Sequence, residues 1–94
     1  MSDILAAFFA FIGLTPLQIE RFRWEFPKID VITERNIMYC ISILVTLGFP
    51  KEQLPKLIVM NPYFMFSDPD ELRIKLYSID GDLGEVLDDN PFLI

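Results

Sequence analysis

"LGFPKEQLPKLIVMNPYFMFSDPDELRIKLYSI", Leu47 to Ile79, decides the fold. It reads as helix, short break, helix. Gly48 punctuates the end of the preceding helix, as a residue free to adopt the left-handed conformation does. Asn61-Pro62 shuts off the first apolar run, because a proline cannot continue the hydrogen-bond ladder and pushes the residue before it out of helical conformation. In "DPDE" the aspartate caps, Pro69 takes the first helical position and Glu71 the third, so the second helix has a well-marked start at Asp68. Pro55 leaves two options: a first-turn residue of a helix that starts late, or a mild kink in one that starts at Pro50. "YFMF" after Pro62 is too short and too tightly bounded for a strand and reads as an apolar turn or short tight helix wedged between neighbours.

Moving outward from this stretch, the chain repeats itself at a spacing of 35: Gly13 falls on Gly48, Gln18 on Gln53, Arg21 on Lys56, Phe22 on Leu57 and Pro27 on Pro62. Past the proline, Ile37 falls on Leu72, Ile41 on Leu76 and Leu44 on Ile79. A third, partial copy follows with a connection six residues shorter, Leu83, Val86, Leu87, Asn90 and Pro91 matching Leu54, Leu57, Ile58, Asn61 and Pro62. In the first copy Thr15, Pro16 and Gln18 have capping-box spacing, and Thr33 is the expected start of its second helix. The expectation is an all-α domain, a short stack of helical hairpins in about two and a half copies, with six helices near 2–12, 15–26, 33–46, 50–61, 68–79 and 82–89. Its parts are an N-terminal helix (1–12), a first repeat (13–47), a second (48–79) and a partial third (80–94) within one domain of 94 residues. The 52% hydrophobic content is ample for a single core.

Composition narrows function mainly by exclusion. Histidine is absent and Cys40 is the only cysteine, which removes Cys/His zinc patterns, Ser-His-Asp and Cys-His triads, and any disulfide within the chain. "DGDLGEVLDD" from Asp80 fails as a calcium loop, since Glu85 stands where the glycine is required and Pro91 where the bidentate glutamate belongs. Paired acids such as Asp70-Glu71 are accounted for by a helix cap, and there is no glycine-rich phosphate loop. Neither an enzymatic constellation nor a cofactor, metal or small-molecule site is expected. The N-terminal "ILAAFFAFIGL" is too short to span a bilayer and lacks the basic flank of a signal peptide, and a transit peptide would be rich in arginine; a packed helix, no membrane partner and a cytoplasmic location are expected.

The net charge of −6 is uneven: eight Lys/Arg oppose nine Asp/Glu up to Ile79, whereas Asp80–Ile94 holds five acids and no base. Nucleic acid therefore meets no long-range attraction, though a local basic face remains open. Candidate contacts for nucleic acid or a partner are Arg21, Arg23, Trp24, Lys28 and Lys56. Arg21 and Lys56 share a repeat position, so a regular stack puts them on one face. Arg23 stands where the other copies have Ile58 and Leu87, and reads either as a snorkelling side chain or as a contact special to its copy. Trp24 beside it reads as half-buried packing or as a platform for a base. Phe8, Phe9, Phe11, Phe64 and Phe66 read as core or as a self-association surface, and "PFLI" at Pro91–Ile94 fits a piece of something larger, a self-associating module or an end tucked inward.

The order of elements in Leu47–Ile79 (leucine-glycine, short polar stretch, apolar helix, proline, apolar turn, second helix) resembles the repeat of the mitochondrial transcription termination factor family, with looser resemblance from Gly13 to Ile94. The resemblance implies a right-handed or gently curved stack of helical hairpins that binds nucleic acid along a concave basic face without catalysis. The chain departs from that pattern in having fewer than three complete repeats, no basic excess and no organelle presequence. Two functions follow as expectations. The first is a non-catalytic module for protein–protein interaction, self-association included; the second is a nucleic-acid-binding module acting in transcription.

Overall fold

Short polar side chains set most of the helix starts. In the computed structural model, which describes residues 1–94, six α-helices run α1 Asp3–Phe11, α2 Pro16–Glu25, α3 Val31–Thr46, α4 Leu54–Met60, α5 Pro69–Tyr77 and α6 Leu83–Asp89, with no strand among them. Ser2, Thr15, Asp30, Asp68 and Asp82 each accept a first-turn N–H, satisfying donors that have no partner inside the helix. Thr15 and Gln18 form the full reciprocal box. The chain is all-α, as its sequence pattern requires.

Two helix starts differ from expectation. The cap of α3 is Asp30, whose Oδ1 accepts from Thr33 N at 2.7 Å, so the helix opens at Val31 and Thr33 is already its third residue. The fourth helix does not begin at Pro50: that residue is extended, a 3-10 turn covers Lys51–Gln53, and α4 begins at Leu54. Pro55 is thus a first-turn residue, where its missing N–H costs nothing. Its ring also packs on the link between α1 and α2, since a Cβ on Gly13 would lie 3.1 Å from Pro55 Cγ. The apolar turns after Pro62 and Pro91 are 3-10 helices, Pro62–Phe66 and Pro91–Leu93, but the corresponding 27–30 is not helical, because Asp30 is committed to capping α3.

Residues 35 apart make the same backbone bonds. Ile12 N donates to Phe8 O as Leu47 N does to Ile43 O, and Leu14 N donates to Phe9 O as Phe49 N does to Leu44 O. Gly13 and Gly48 turn the chain between these bonds at φ +109° and +102°, a conformation that glycine adopts without strain. The N-terminal helix α1 therefore ends as α3 does and buries Leu5 and Phe9 where α3 buries Cys40 and Leu44. The helices α2, α4 and α6 also end alike, at Phe26, Asn61 and Asn90, with φ of −129°, −144° and −142°.

A single cluster of 20 buried apolar residues draws on all six helices. Helices α2, α4 and α6 lie side by side; α3 packs on α5 and on the Pro62–Phe66 turn. Ser2 ties α1 to α3 through Glu34. Phe26 packs against Phe22, Phe66 and Tyr63 where the first two copies meet. The molecule measures 36 × 24 × 19 Å along its principal axes. No helix is long and apolar enough to cross a membrane.

Candidate functional site

Two grooves of one construction run between successive helices of the α2, α4, α6 row. The first, between α2 and α4, encloses about 220 Å³, with Gln18, Arg21, Phe22 and Glu25 on one wall and Ile58, Val59 and Pro62 on the other. The second, between α4 and α6, has Gln53, Lys56, Leu57 and Met60 against Leu87, Asp88 and Pro91. Each of these residues stands 35 or 29 positions after its counterpart in the first groove. Yet the second groove encloses only about 20 Å³. Lys56 Nζ donates to Asp88 Oδ1 at 2.5 Å across it, whereas Arg21 faces Val59 at the position of Asp88.

Arg21 and Lys56 each line one of these two grooves, but in different electrostatic states. Lys56 is paired with the next copy. Arg21 is exposed, takes part in no ion pair within the chain and shares its groove with Glu25 one turn on. The third residue in this series is Glu85, so the charge along the row runs from positive to negative.

Arg23, Trp24 and Lys28 lie elsewhere. Arg23 and Trp24 occupy the face of α2 turned away from α4, given the 100° step between helical residues. The counterparts of Arg23, Ile58 and Leu87, are each 2% exposed because the preceding helix covers them, whereas Val59 and Asp88, the counterparts of Trp24, stay about half exposed. No helix of this chain precedes α2 in the row, so Arg23 stays half-open to solvent and Trp24 is 84% exposed, not half-buried. Arg23 Nε lies 3.3 Å from Glu20 Oε1 but out of line for a hydrogen bond. Lys28 is exposed in the link between α2 and α3. Of the phenylalanines, Phe9 and Phe64 are core, Phe8 and Phe66 pack at its edge, and Phe11 is exposed.

Three polar residues that residue type alone did not single out hold the copies together. Asn61, buried at the end of α4, donates from Nδ2 to Pro91 O at 2.9 Å, joining the second copy to the third. Asn36 donates to Met65 O at 3.0 Å and Ser67 O at 2.9 Å, joining the first to the second. Glu34 receives Ser2 Oγ at 2.6 Å and Ser2 N at 2.5 Å, and these bonds hold its carboxyl below the usual carboxylate range. The signal for Asn61 was the Asn-Pro pair recurring at Asn90-Pro91; nothing local marked Glu34. Burial pushes the Cys40 thiol up to about 11, with the nearby Asp68 charge adding to it, so it is no nucleophile at neutral pH. No three His, Cys, Asp or Glu side chains gather closely enough to hold a metal ion.

What the arrangement offers chemically is a row of shallow, amphipathic inter-helix grooves. Set against protein-family models, curated proteins and solved structures, the chain matches none of them.

Proposed function

We propose that this chain is a small, non-catalytic helical-repeat module of the cytoplasm that binds another polypeptide. One observation carries the reading: the row of equivalent positions that would have to track a phosphate backbone reads Arg21, Lys56, Glu85, and Lys56 is already neutralised by Asp88. A phosphate-binding face needs several free cations in register, since each neutralised phosphate adds to affinity. The open groove beside Arg21 has instead one free cation, one acid and an apolar floor, a mixture that suits a peptide segment.

The resemblance to mitochondrial transcription termination factor repeats, together with the unpaired Arg21, supports the second reading, a nucleic-acid-binding module acting in transcription. The two separate in one titration. Labelled single- and double-stranded DNA and RNA are followed by fluorescence anisotropy at about 50 and 200 mM salt, a range over which phosphate-driven binding falls steeply. The protein-binding reading expects no binding at either salt. Salt-sensitive binding that disappears in the Arg21→Ala/Lys56→Ala variant overturns it in favour of the nucleic-acid reading.

A further inference from the structure

We infer that the chain associates with a second copy of itself head to tail, the free face of α6 in one molecule receiving the free face of α2 in the next. The pairing of α2 with α4, and of α4 with α6, then continues across the junction. This deepens the protein-binding reading and rests on it.

The internal grooves specify what such a junction must contain. Each joins one wall from the earlier helix to one wall from the later helix, at fixed repeat positions. The wall that would come from α6 is Asp82, Glu85 and Asp89, counterparts of Gln53, Lys56 and Met60, and all three are exposed. The wall that would come from α2 is Arg23, Trp24 and Pro27, counterparts of Ile58, Val59 and Pro62. Trp24 thus stands where Val59 and Asp88 line the rims of the internal grooves, each about half exposed.

Two complementarities favour a second copy over an unrelated partner. The α6 wall carries three acids and no base, while the α2 wall carries Arg23, with Lys28 just beyond it, against the single acid Glu20. Stacking sets Trp24 opposite Glu85, as Asp88 faces Lys56, and brings Arg23, at the place of Leu87, into the same groove as Glu85 and Asp89. The second is a hydrogen bond. Asn61 Nδ2 donates to Pro91 O at the internal junction. Asn90 holds the same position one copy later; its Oδ1 accepts from Phe92 N, but its amide nitrogen donates to nothing in the chain. Pro27 O, the counterpart of Pro91 O, accepts no backbone bond. The donor and the acceptor of the next link are both free. A contact of this kind is heterologous, so it leaves a free end at each side and grows without closing.

Trp24 is the only tryptophan, so its emission reports the junction directly. Sedimentation velocity of the 94-residue chain, from micromolar to millimolar concentration, is expected to show a sedimentation coefficient that climbs without a plateau, with a blue shift of Trp24 emission in step. Trp24→Ser breaks one end and Glu85→Lys/Asp89→Lys the other; both change exposed side chains, and unchanged circular dichroism verifies the fold. Each variant alone should associate about tenfold more weakly or worse, since like charges or a lost anchor at an interface cost at least that much. Mixed in equal amounts they should form a dimer and nothing larger, with the blue shift restored, because one intact end remains on each. A chain monomeric at every concentration, a closed dimer indifferent to both variants, or a mixture that stays monomeric overturns the head-to-tail stack. Any of these leaves the protein-binding reading standing, which falls only to the nucleic-acid titration above.

Discussion

Glu34 is a buried acid that stays ionised because Ser2 supplies two donors to it. Its carboxyl is held below the ordinary value of 4.5, so the folded chain binds its proton more weakly than the unfolded chain does. The stability it contributes is complete above the unfolded value and lost as pH falls through the lowered folded value. Glu34→Gln should lower the melting temperature at neutral pH by an amount equivalent to about 1–3 kcal/mol, and the gap from the parent should close in acid; melts recorded from pH 7 downward check this. Asn61→Leu removes the donor to Pro91 O and leaves that carbonyl unpaired, again at about 1–3 kcal/mol in chemical denaturation. Cys40, buried with its thiol raised to about 11, should resist thiol reagents in the folded chain and react at the unfolded rate once denaturant is added. Of these residues only Asn61 was visible beforehand, through Asn-Pro; Glu34 and Ser2 are 32 positions apart, and no local pattern joins them.

Among the elements, those with capping chemistry written in adjacent residues were legible to within a residue or two, as for α2, α5 and α6. At the two starts that differ, two candidates of similar propensity competed, and the option left open at Pro55, a late-starting helix, is the one formed. Thr33 and Asp30 could each cap α3, and Asp30 won by placing its carboxylate 2.7 Å from Thr33 N. Pro50 and Leu54 could each open the fourth helix. Part of the outcome lies at Gly84, buried in the first turn of α6, where an added Cβ would come within 3.0 Å of the Pro50 ring. Gly84→Ala should therefore destabilise by about 1–3 kcal/mol despite alanine's better helix propensity, because a proline ring cannot rotate out of the way. Equilibrium unfolding in urea measures this, and stability equal to or above the parent would show that α6 can shift away from Pro50.

At the scale of the whole molecule, stability is expected to fall along the chain towards the third copy. Helix α3 has 16 residues, six of them buried, whereas α6 has seven, with Gly84 and Leu87 alone buried. Hydrogen exchange should show the slowest amides in α3 and the fastest helical ones in α6 and Pro91–Leu93; uniform protection would contradict this. The sequence by itself determined the helical class and the number of helices, because caps, prolines and left-handed glycines act through neighbouring residues. Only the tertiary structure decided that Lys56 is spent on Asp88 while Arg21 is free, that Arg23 and Trp24 face outward, and that α1 takes the place of a second helix. The physical reason is that burial and pairing belong to the helix that covers a position, and which helix covers it is fixed by how the helices stack and not by the residue's own neighbours.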